Sequence, residues 1–267
     1  FNWWLDKMGS DIYQHYRKEE SGFVDQVFDW LTHASSLYSP VLTPFLTPRE
    51  GLIVRQIVNG YEDLQVEFTG GYPSAERQRA LIYPLYYQVQ LEDFSLAYMQ
   101  IHYPHKFGEL THQQILGSVM ATGIKRDRLG DIMTDGQTWQ IIVDTHLATY
   151  LINHLSKIGR MGVQVKQINP EELVDSVEEW EDFPLITGSL RVDSVVSKVY
   201  NLSRQRAKEA IQSGQVKVNY TPIDKVDTVL AMSDLVSLRK YGRFRLEGIE
   251  GMTRKDKYRI NVKLLKT

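Results

Sequence analysis

Residues 190–219 restrict the fold of this chain more than any other segment, because three structural signals follow one another there. An apolar-spaced segment over 193–200 predicts a first helix, and Ser203 supplies an N-cap hydroxyl for a second one. The second helix should end at Gly214, since glycine commonly follows a helix C-terminus. The alternating Val-Lys-Val of 216–218 then predicts a short strand. The segment is therefore a compact helix-turn-helix-strand unit.

Cations lie on this unit where its helices begin, in an arrangement suited to phosphate. Successive residues of a helix differ by about 100°, so Arg204 and Lys208 share one face while Ala207 and Ile211 turn towards a core. A guanidinium fork and a helix N-terminus both favour phosphate binding. The alternative interpretation is a solvated surface with ordinary ion pairs. The basic residues of the unit are Arg191, Arg204, Arg206, Lys208 and Lys217.

A second basic stretch, residues 239–245, interleaves cations with aromatic residues. Its sequence, Arg-Lys-Tyr-Gly-Arg-Phe-Arg, predicts a hairpin with Gly242 at the turn. We interpret it as part of a groove for a polyanion, and the alternative is a sheet edge protected by charge. In the first helix, Asp193 is expected to orient Arg191 or to cap the helix rather than to act in catalysis.

The charge of the chain is divided unevenly along its length. The formal net charge is −2, but the segment from Thr187 to the end carries 17 Lys and Arg against 8 Asp and Glu, a net charge of +9. Residues 1–186 hold 14 against 25, a net charge of −11. This asymmetry is typical of a polyanion-binding module on an acidic body, and chance clustering is the alternative. Seven carboxylates within 170–184 predict an acidic linker, or otherwise a partner-binding strip.

The order of elements upstream predicts an α+β protein. Residues 92–168 show the pattern β-α-β-β-α-β, a ferredoxin-like (RRM-like) order that RNA-recognition modules also use. No aromatic-rich motif lies in its central strands, so base stacking there is unsupported. Residues 1–60 are predicted to be helical, with a loop marked by Pro40, Pro44 and Pro48. The predicted domains are a mostly helical region over 1–75, a ferredoxin-like domain over 76–169, the acidic linker over 170–186 and a small C-terminal domain over 187–267.

The remaining patterns give one further candidate and several exclusions. Lys125, Arg126 and Arg128 follow a predicted helix and suit either a second phosphate contact or the negative end of that helix. The histidines lack partners at ligand spacing, and no nucleophile or cofactor motif is present, so we expect no metal, no cofactor and no enzyme activity. No apolar run reaches about 18 residues and the N-terminus has no signal-peptide pattern, so we expect a cytoplasmic protein without a membrane span.

Four short motifs of the C-terminal segment resemble those of a known RNA-binding module. They are Arg191-Val-Asp193, Ser203-Arg204-x-x-Ala207, Ile211-x-x-Gly214-x-Val216-x-Val218-Asn219 and Ser233-Asp234-Leu-Val-Ser-Leu. Together they look like the S4 RNA-binding domain found in ribosomal protein S4, pseudouridine synthases and tyrosyl-tRNA synthetases. Two turn positions depart from that pattern, because Tyr220 and Ser233 stand where glycine is usual.

The stretch 114–132, Gln-Ile-Leu-Gly-Ser-Val-Met-Ala-Thr-Gly-Ile-Lys-Arg-Asp-Arg-Leu-Gly-Asp-Ile, extends the resemblance to most of the chain. Together with the S4 motifs it resembles the YlmH-type S4 proteins of Gram-positive bacteria. That resemblance implies a non-enzymatic RNA-binding protein of the large ribosomal subunit and tRNA. It also implies a role in rescuing stalled peptidyl-tRNA complexes and a link to cell division. It assigns no role to the motif at 124–132.

Our main hypothesis is an RNA-binding factor whose S4 unit grips structured rRNA or tRNA. The alternatives are an RNA-modifying enzyme of the pseudouridine-synthase kind and a division scaffold that binds proteins through its acidic body. Lys125, Arg126 and Arg128 are the candidates for a second contact. The expected RNA-binding residues are Arg191, Ser203, Arg204, Gln205, Arg206, Lys208, Lys217, Arg239, Lys240 and Arg243.

Overall fold

A computed structural model of the chain describes residues 13–176 and 180–266, and the apolar segments predicted to be helical before Tyr13 lie outside them. The chain divides into two compact units, residues 1–175 and 176–267. Helices and strands occur in both units, as the predicted α+β class requires. The first unit comprises two domains, one built on a three-stranded sheet and one on a four-stranded sheet with a separate two-stranded hairpin, and the second unit has one six-stranded sheet.

The first domain is mixed rather than mostly helical. Its elements are α1 (Ser21–Ser36), β1 (Val41–Leu46), α2 (Pro48–Val58), β2 (Leu64–Thr69) and β3 (Gln78–Pro84). The three strands form an antiparallel sheet in the order β1-β3-β2, and the two helices share a hydrophobic core with it. The predicted border at residue 76 is therefore wrong, because β3 is the central strand of this sheet.

The proline-rich loop predicted after residue 40 is also wrong, because Val41–Leu46 forms an edge strand. Proline has no N–H to donate, so it is tolerated at edges and bulges. The pairing with β3 is irregular between Leu42 and Phe45, and Pro44 lies inside that irregularity. The strand therefore accommodates a residue that indicates a loop when only local sequence is considered.

The second domain has the predicted ferredoxin-like topology. Its elements are β4 (Leu96–His102), α3 (His112–Ala121), β5 (Leu129–Thr134), β6 (Trp139–Asp144), α4 (Ala148–His154), the hairpin strands β7 (Lys157–Ile158) and β8 (Met161–Gly162), and β9 (Gln164–Ile168). The antiparallel sheet order is β5-β6-β4-β9, which confirms the split βαβ prediction. Helix α4 is shorter than the predicted segment 145–158, since a 3₁₀ turn precedes it and β7 follows it.

The sheet face that RNA-recognition modules use for bases is buried in this domain. Phe45 of β1 packs in one cluster with Tyr98, Met133 and Ile142, and these four side chains are at most 6% exposed. A Cβ on Gly130 would lie 2.9 Å from the Phe45 ring, so glycine permits this close approach. Base stacking on this face is therefore excluded by the chain's own first domain.

Two buried arginines, Arg77 and Arg79, join the first domain to the second through a hydrogen bond and an ion pair. Arg77 donates from Nε to the Leu129 carbonyl at 3.1 Å and from Nη2 to the Phe45 carbonyl at 3.0 Å. Arg79 donates to the Thr43 carbonyl at 2.8 Å and forms a 3.3 Å ion pair with Asp144, which is buried. The ion pair of Arg79 therefore ties the end of β6 to the first domain.

The second unit is a six-stranded sheet with two helices on one face. Its elements are β10 (Glu181–Thr187), α5 (Val192–Val199), α6 (Arg204–Gln212), β11 (Val216–Val218), β12 (Thr221–Pro222), β13 (Leu235–Leu238), β14 (Gly242–Met252) and β15 (Tyr258–Lys266). The order is β10-β15-β14-β13-β11-β12, and all pairs are antiparallel. Both helices contribute to a continuous core with the sheet.

The predicted acidic linker over 170–186 is wrong over its second half. Residues 181–187 form β10 and pair along their whole length with β15. Glu181 lies opposite a basic strand and bridges Lys266 at 3.2 Å, while Phe183 packs against the core. Complementary charge and apolar alternation therefore draw this acidic segment into the sheet.

Candidate nucleic-acid interface

The two helices of the S4-like unit form as the sequence predicts. Ser203 caps α6, because its Oγ accepts a hydrogen bond from the Arg206 backbone N–H at 3.1 Å. Ala207 and Ile211 are fully buried, which leaves the opposite side of α6 in solvent. Gly214 follows the helix with φ +69°, and β11 begins at Val216.

A buried carboxylate orients two arginines at this site. Asp193 is fully buried at the start of α5. Arg191 contacts it in bidentate fashion, from Nε to Oδ1 and from Nη2 to Oδ2, both at 3.2 Å. Arg204 donates from Nη2 to Oδ2 at 3.0 Å. The expectation that Asp193 orients Arg191 is confirmed, and its action on Arg204 was missed.

The two guanidinium groups remain accessible although they are held. The side chain of Arg191 is 38% exposed and that of Arg204 is 53% exposed. One carboxylate and two guanidinium groups leave a net charge of +1 on this cluster. A positively charged, positioned pair is suited to a phosphate, since the cost of ordering the side chains is met before binding.

Hydrogen bonds extend the Asp193 cluster to Ser194 and Thr187, two residues that were not predicted from the sequence. Arg204 Nη1 donates to Ser194 Oγ at 3.3 Å. Ser194 Oγ lies 2.9 Å from Thr187 Oγ1, and Thr187 donates in turn to the Ser189 carbonyl at 2.8 Å. Ser and Thr in a basic segment carry no sequence signal for such a role.

The remaining predicted residues of this segment lie on α6 and on β11. Arg206 is exposed on α6 and Lys208 is half-buried on the same face as Arg204. Gln205 donates to Glu209 at 2.9 Å, so it is engaged on its own helix. Lys217 is exposed on β11, where Val216 and Val218 face the core, so it lies on the sheet face opposite to the helices.

The stretch 239–245 forms the predicted hairpin with a shifted turn. Leu238 pairs with Gly242, so the turn consists of Arg239, Lys240 and Tyr241, and Gly242 is the first residue of β14. Lys240 has φ +71°. Gly242 is required for close approach, because a Cβ there would lie 2.1 Å from the Leu265 carbonyl oxygen.

Arg243 and Arg245 lie on the sheet face opposite to the helices, because Phe244 between them is buried in the core. Their guanidinium carbons lie 5.1 and 5.9 Å from the centre of the Trp180 ring. The predicted RNA-binding residues therefore occupy two faces. Sequence reasoning missed Trp180 because it stands in the acidic segment that was interpreted as a linker.

Both departures from the S4 pattern adopt the backbone conformation that glycine would supply. Asn219 and Tyr220 have φ values of +48° and +67°, and they form a two-residue turn between paired Val218 and Thr221. Ser233 has φ +64°. Asn219 stabilises this turn, since its Nδ2 donates a hydrogen bond to Asp234 Oδ1 at 2.9 Å.

The second set of predicted cations, in the ferredoxin-like domain, separates into two roles. Arg126 donates to the carbonyls of Leu129 and Gly130, so it holds its own loop. Lys125 and Arg128 line an open cleft.

Metal-ligand clusters and membrane-spanning helices are both absent from the residues that the structure describes. Among residues 13–176 and 180–266 no group of His, Asp and Glu is arranged to hold a metal ion. Over the same ranges no helix is long and apolar enough to cross a membrane.

Comparisons with known proteins match three consecutive segments. A family model described as "YlmH, N-terminal" matches residues 19–87, one described as "Putative RNA-binding domain in YlmH" matches residues 90–172, and the S4 domain model matches residues 190–236. The ribosome-associated protein quality control protein P2 of Bacillus subtilis (strain 168) is 36% identical over 251 residues, which cover 94% of this chain and 97% of that protein. The solved structure of cell division protein ylmH from Streptococcus pneumoniae is 34% identical, with a TM-score of 0.54, and the match covers 61% of this chain and 99% of that chain.

Proposed function

This chain belongs to the YlmH family of S4-domain proteins, and on that premise we propose that it is a non-enzymatic RNA-binding protein of the ribosome. The observation that carries the proposal is the pair Arg191 and Arg204, both held by the buried carboxylate of Asp193 and both open to solvent. Such a pair suits the backbone phosphates of a structured RNA, which proteins recognise largely by shape and phosphate contacts.

The ligand we propose is rRNA of the large ribosomal subunit together with tRNA, in the handling of stalled peptidyl-tRNA complexes. The name of the Bacillus subtilis relative, a ribosome-associated quality control protein, supports this assignment. The net charge of +9 from Thr187 onwards supports a polyanionic ligand for the C-terminal unit. The proposal places the chain in the cytoplasm with the ribosome.

The residues proposed to contact RNA form two groups. Arg191, Arg204, Arg206 and Lys208 form the helix group around the Asp193 cluster. The second group comprises Lys217 on β11, Arg239 and Lys240 in the 239–241 turn, and Arg243 beside Trp180. Ser203 and Gln205 contribute by capping and bracing α6.

Cosedimentation of the full chain with purified 50S and 30S subunits tests the proposal. We expect the wild-type chain to sediment with 50S subunits, and Arg204→Glu combined with Lys208→Glu to abolish this. The matched control is Lys255→Glu combined with Lys257→Glu, which places the same charge change at the exposed turn between β14 and β15. Equal sedimentation of the two double variants would refute the role of the helix group.

We also propose a link to cell division, because the Streptococcus pneumoniae relative is named a cell division protein. The acidic first unit is the candidate for protein partners. Affinity capture on the full chain before and after nuclease treatment tests this. A division protein retained after nuclease supports a direct link, and loss of every such protein with the RNA refutes it.

A further inference from the structure

The ferredoxin-like domain contains an open cleft of about 390 Å³ beside the 124–132 motif, and it is far removed in sequence from the S4 unit. The cleft lies between the turn at 122–128 and the start of α4. Its apolar lining consists of Ile124, Leu147 and the ring of Tyr150. Cations line it as well, namely Lys125 and Arg128.

Arg128 is positioned by the same device as Arg204. Its Nη1 donates at 2.7 Å to Asp144, whose side chain is 1% exposed, while the Arg128 side chain is 44% exposed. Asp144 also pairs with buried Arg79 at 3.3 Å. One buried carboxylate thus holds two guanidinium groups and leaves a net charge of +1, which is the composition of the Asp193 cluster.

The aromatic wall of the cleft is also held in place. The Tyr150 hydroxyl donates to the Thr122 carbonyl at 2.6 Å, and the His154 ring stacks on the Tyr150 ring at a centroid distance of 4.0 Å and an angle of 18°. Tyr150 nevertheless remains 38% exposed. A fixed, exposed ring beside a positioned guanidinium and an exposed lysine is a combination that binds a nucleotide, since the base stacks and the phosphate pairs.

The 122–128 sequence builds this arrangement residue by residue. Gly123 has φ +94°, which allows the turn after α3. Ile124 is buried as its anchor, and Arg126 binds the carbonyls of Leu129 and Gly130. Lys125, which is exposed, and Arg128 are left to face the cleft.

We propose that this cleft is a second RNA site, which takes one unstacked nucleotide with Tyr150 against the base and with Lys125 and Arg128 on the phosphate. The inference rests on the proposed function, because it assumes that the chain binds RNA. It differs from sheet-face recognition, since the opposite face of this domain is covered by Phe45 and its neighbours.

Ultraviolet crosslinking of the full chain to purified ribosomes, followed by mass spectrometry of nucleotide-bearing peptides, tests the site directly. We expect a nucleotide on the peptide that contains Tyr150. Crosslinks confined to peptides of residues 187–267 would overturn the cleft proposal while leaving the S4 proposal intact. Absence of any crosslink together with absence of cosedimentation would instead refute the proposed function.

A second test measures the affinity of variants of the full chain for ribosomes. Lys125→Gln combined with Arg128→Gln should weaken the Kd for ribosomes about tenfold, and Tyr150→Ala should weaken it severalfold without changing the salt dependence. The controls are Lys166→Glu, an exposed cation on β9, and Tyr38→Ala, an exposed tyrosine of the first domain. Cleft variants that bind as their controls do, while Arg204→Glu loses binding, would overturn the cleft site alone.

Discussion

Arg204 donates a hydrogen bond of 3.0 Å to Asp193, and this carboxylate is fully buried beneath a guanidinium that is half exposed. The same carboxylate holds Arg191. This arrangement allows two contributions to RNA binding to be distinguished, namely the amount of positive charge and the positioning of that charge by Asp193.

Asp193→Asn distinguishes these two effects. The substitution raises the net charge by one, so charge alone predicts tighter RNA binding. Positioning predicts weaker binding, about five- to tenfold in Kd, because Arg191 and Arg204 lose their charged anchor. Fluorescence anisotropy with purified 50S subunits measures the change. Asp256→Asn at an exposed turn adds the same charge without touching the arginines, and tighter binding by Asp193→Asn would refute positioning.

Ser233→Gly should stabilise the second unit by about 0.5–1 kcal/mol, because a left-handed conformation is costly for residues other than glycine. Urea unfolding of the full chain, followed through the transition of the second unit, provides the measurement. Asn219→Gly is the matched control, since Asn219 has the same sign of φ but bonds to Asp234 and to the Leu235 N–H. We expect that control to destabilise by about 1 kcal/mol or more. A loss of stability in Ser233→Gly would contradict the strain argument.

Gly130→Ala should destabilise the first unit by about 1–3 kcal/mol, because the added methyl would overlap the Phe45 ring at 2.9 Å and approach Ile142 at 3.2 Å. Gly117→Ala is the opposite case, since Gly117 lies in α3 with open space at its Cβ position. We expect that change to stabilise by about 0.5–1 kcal/mol. Thermal unfolding of both variants compares them, and an equal effect would mean that Phe45 does not dock as described.

The ion pair between Glu20 and Arg49, at 2.8 Å, gives a pH-dependent contribution to stability. Burial favours a raised pKa for Glu20, but hydrogen bonds from Arg49 and from the Arg17 backbone N–H outweigh it and lower the pKa. A lowered folded-state pKa stabilises the fold above the unfolded pKa of about 4.5, and this stability is lost as the pH falls through the folded pKa. Glu20→Gln should therefore cost about 1–2 kcal/mol at pH 7 and progressively less below pH about 4.5. A cost that is independent of pH would contradict the pairing.

Local signals predicted the elements that carry the S4 unit. The cap at Ser203, the buried pair Ala207 and Ile211, and the strand at Val216 all follow from spacing and capping rules, and the structure confirms them. The ferredoxin-like order of elements was predicted in the same way, because the spacing of apolar residues changes clearly between its helices and its strands.

The errors arose where long-range pairing overrides local sequence. Pro44 favours a loop in the local sequence, yet it lies in the edge strand β1, whose pairing with β3 is irregular at this residue. Glu181 and Asp182 indicate a linker, yet the basic strand β15 lies opposite them. The anchors Asp144 for Arg128 and Ser194 for Arg204 were missed for the same reason, because no spacing rule relates residues that meet only in the folded chain.

The most direct measurement is the salt dependence of the Kd of the full chain for 50S subunits, compared between wild type and Arg204→Gln combined with Lys208→Gln. Each phosphate contact adds roughly 0.7–0.9 to the slope of log K against log salt concentration. We predict a steep slope for wild type, and for the variant a weaker Kd with a slope lower by about one to two. An unchanged Kd and an unchanged slope would contradict the claim that these helix residues bind RNA phosphates.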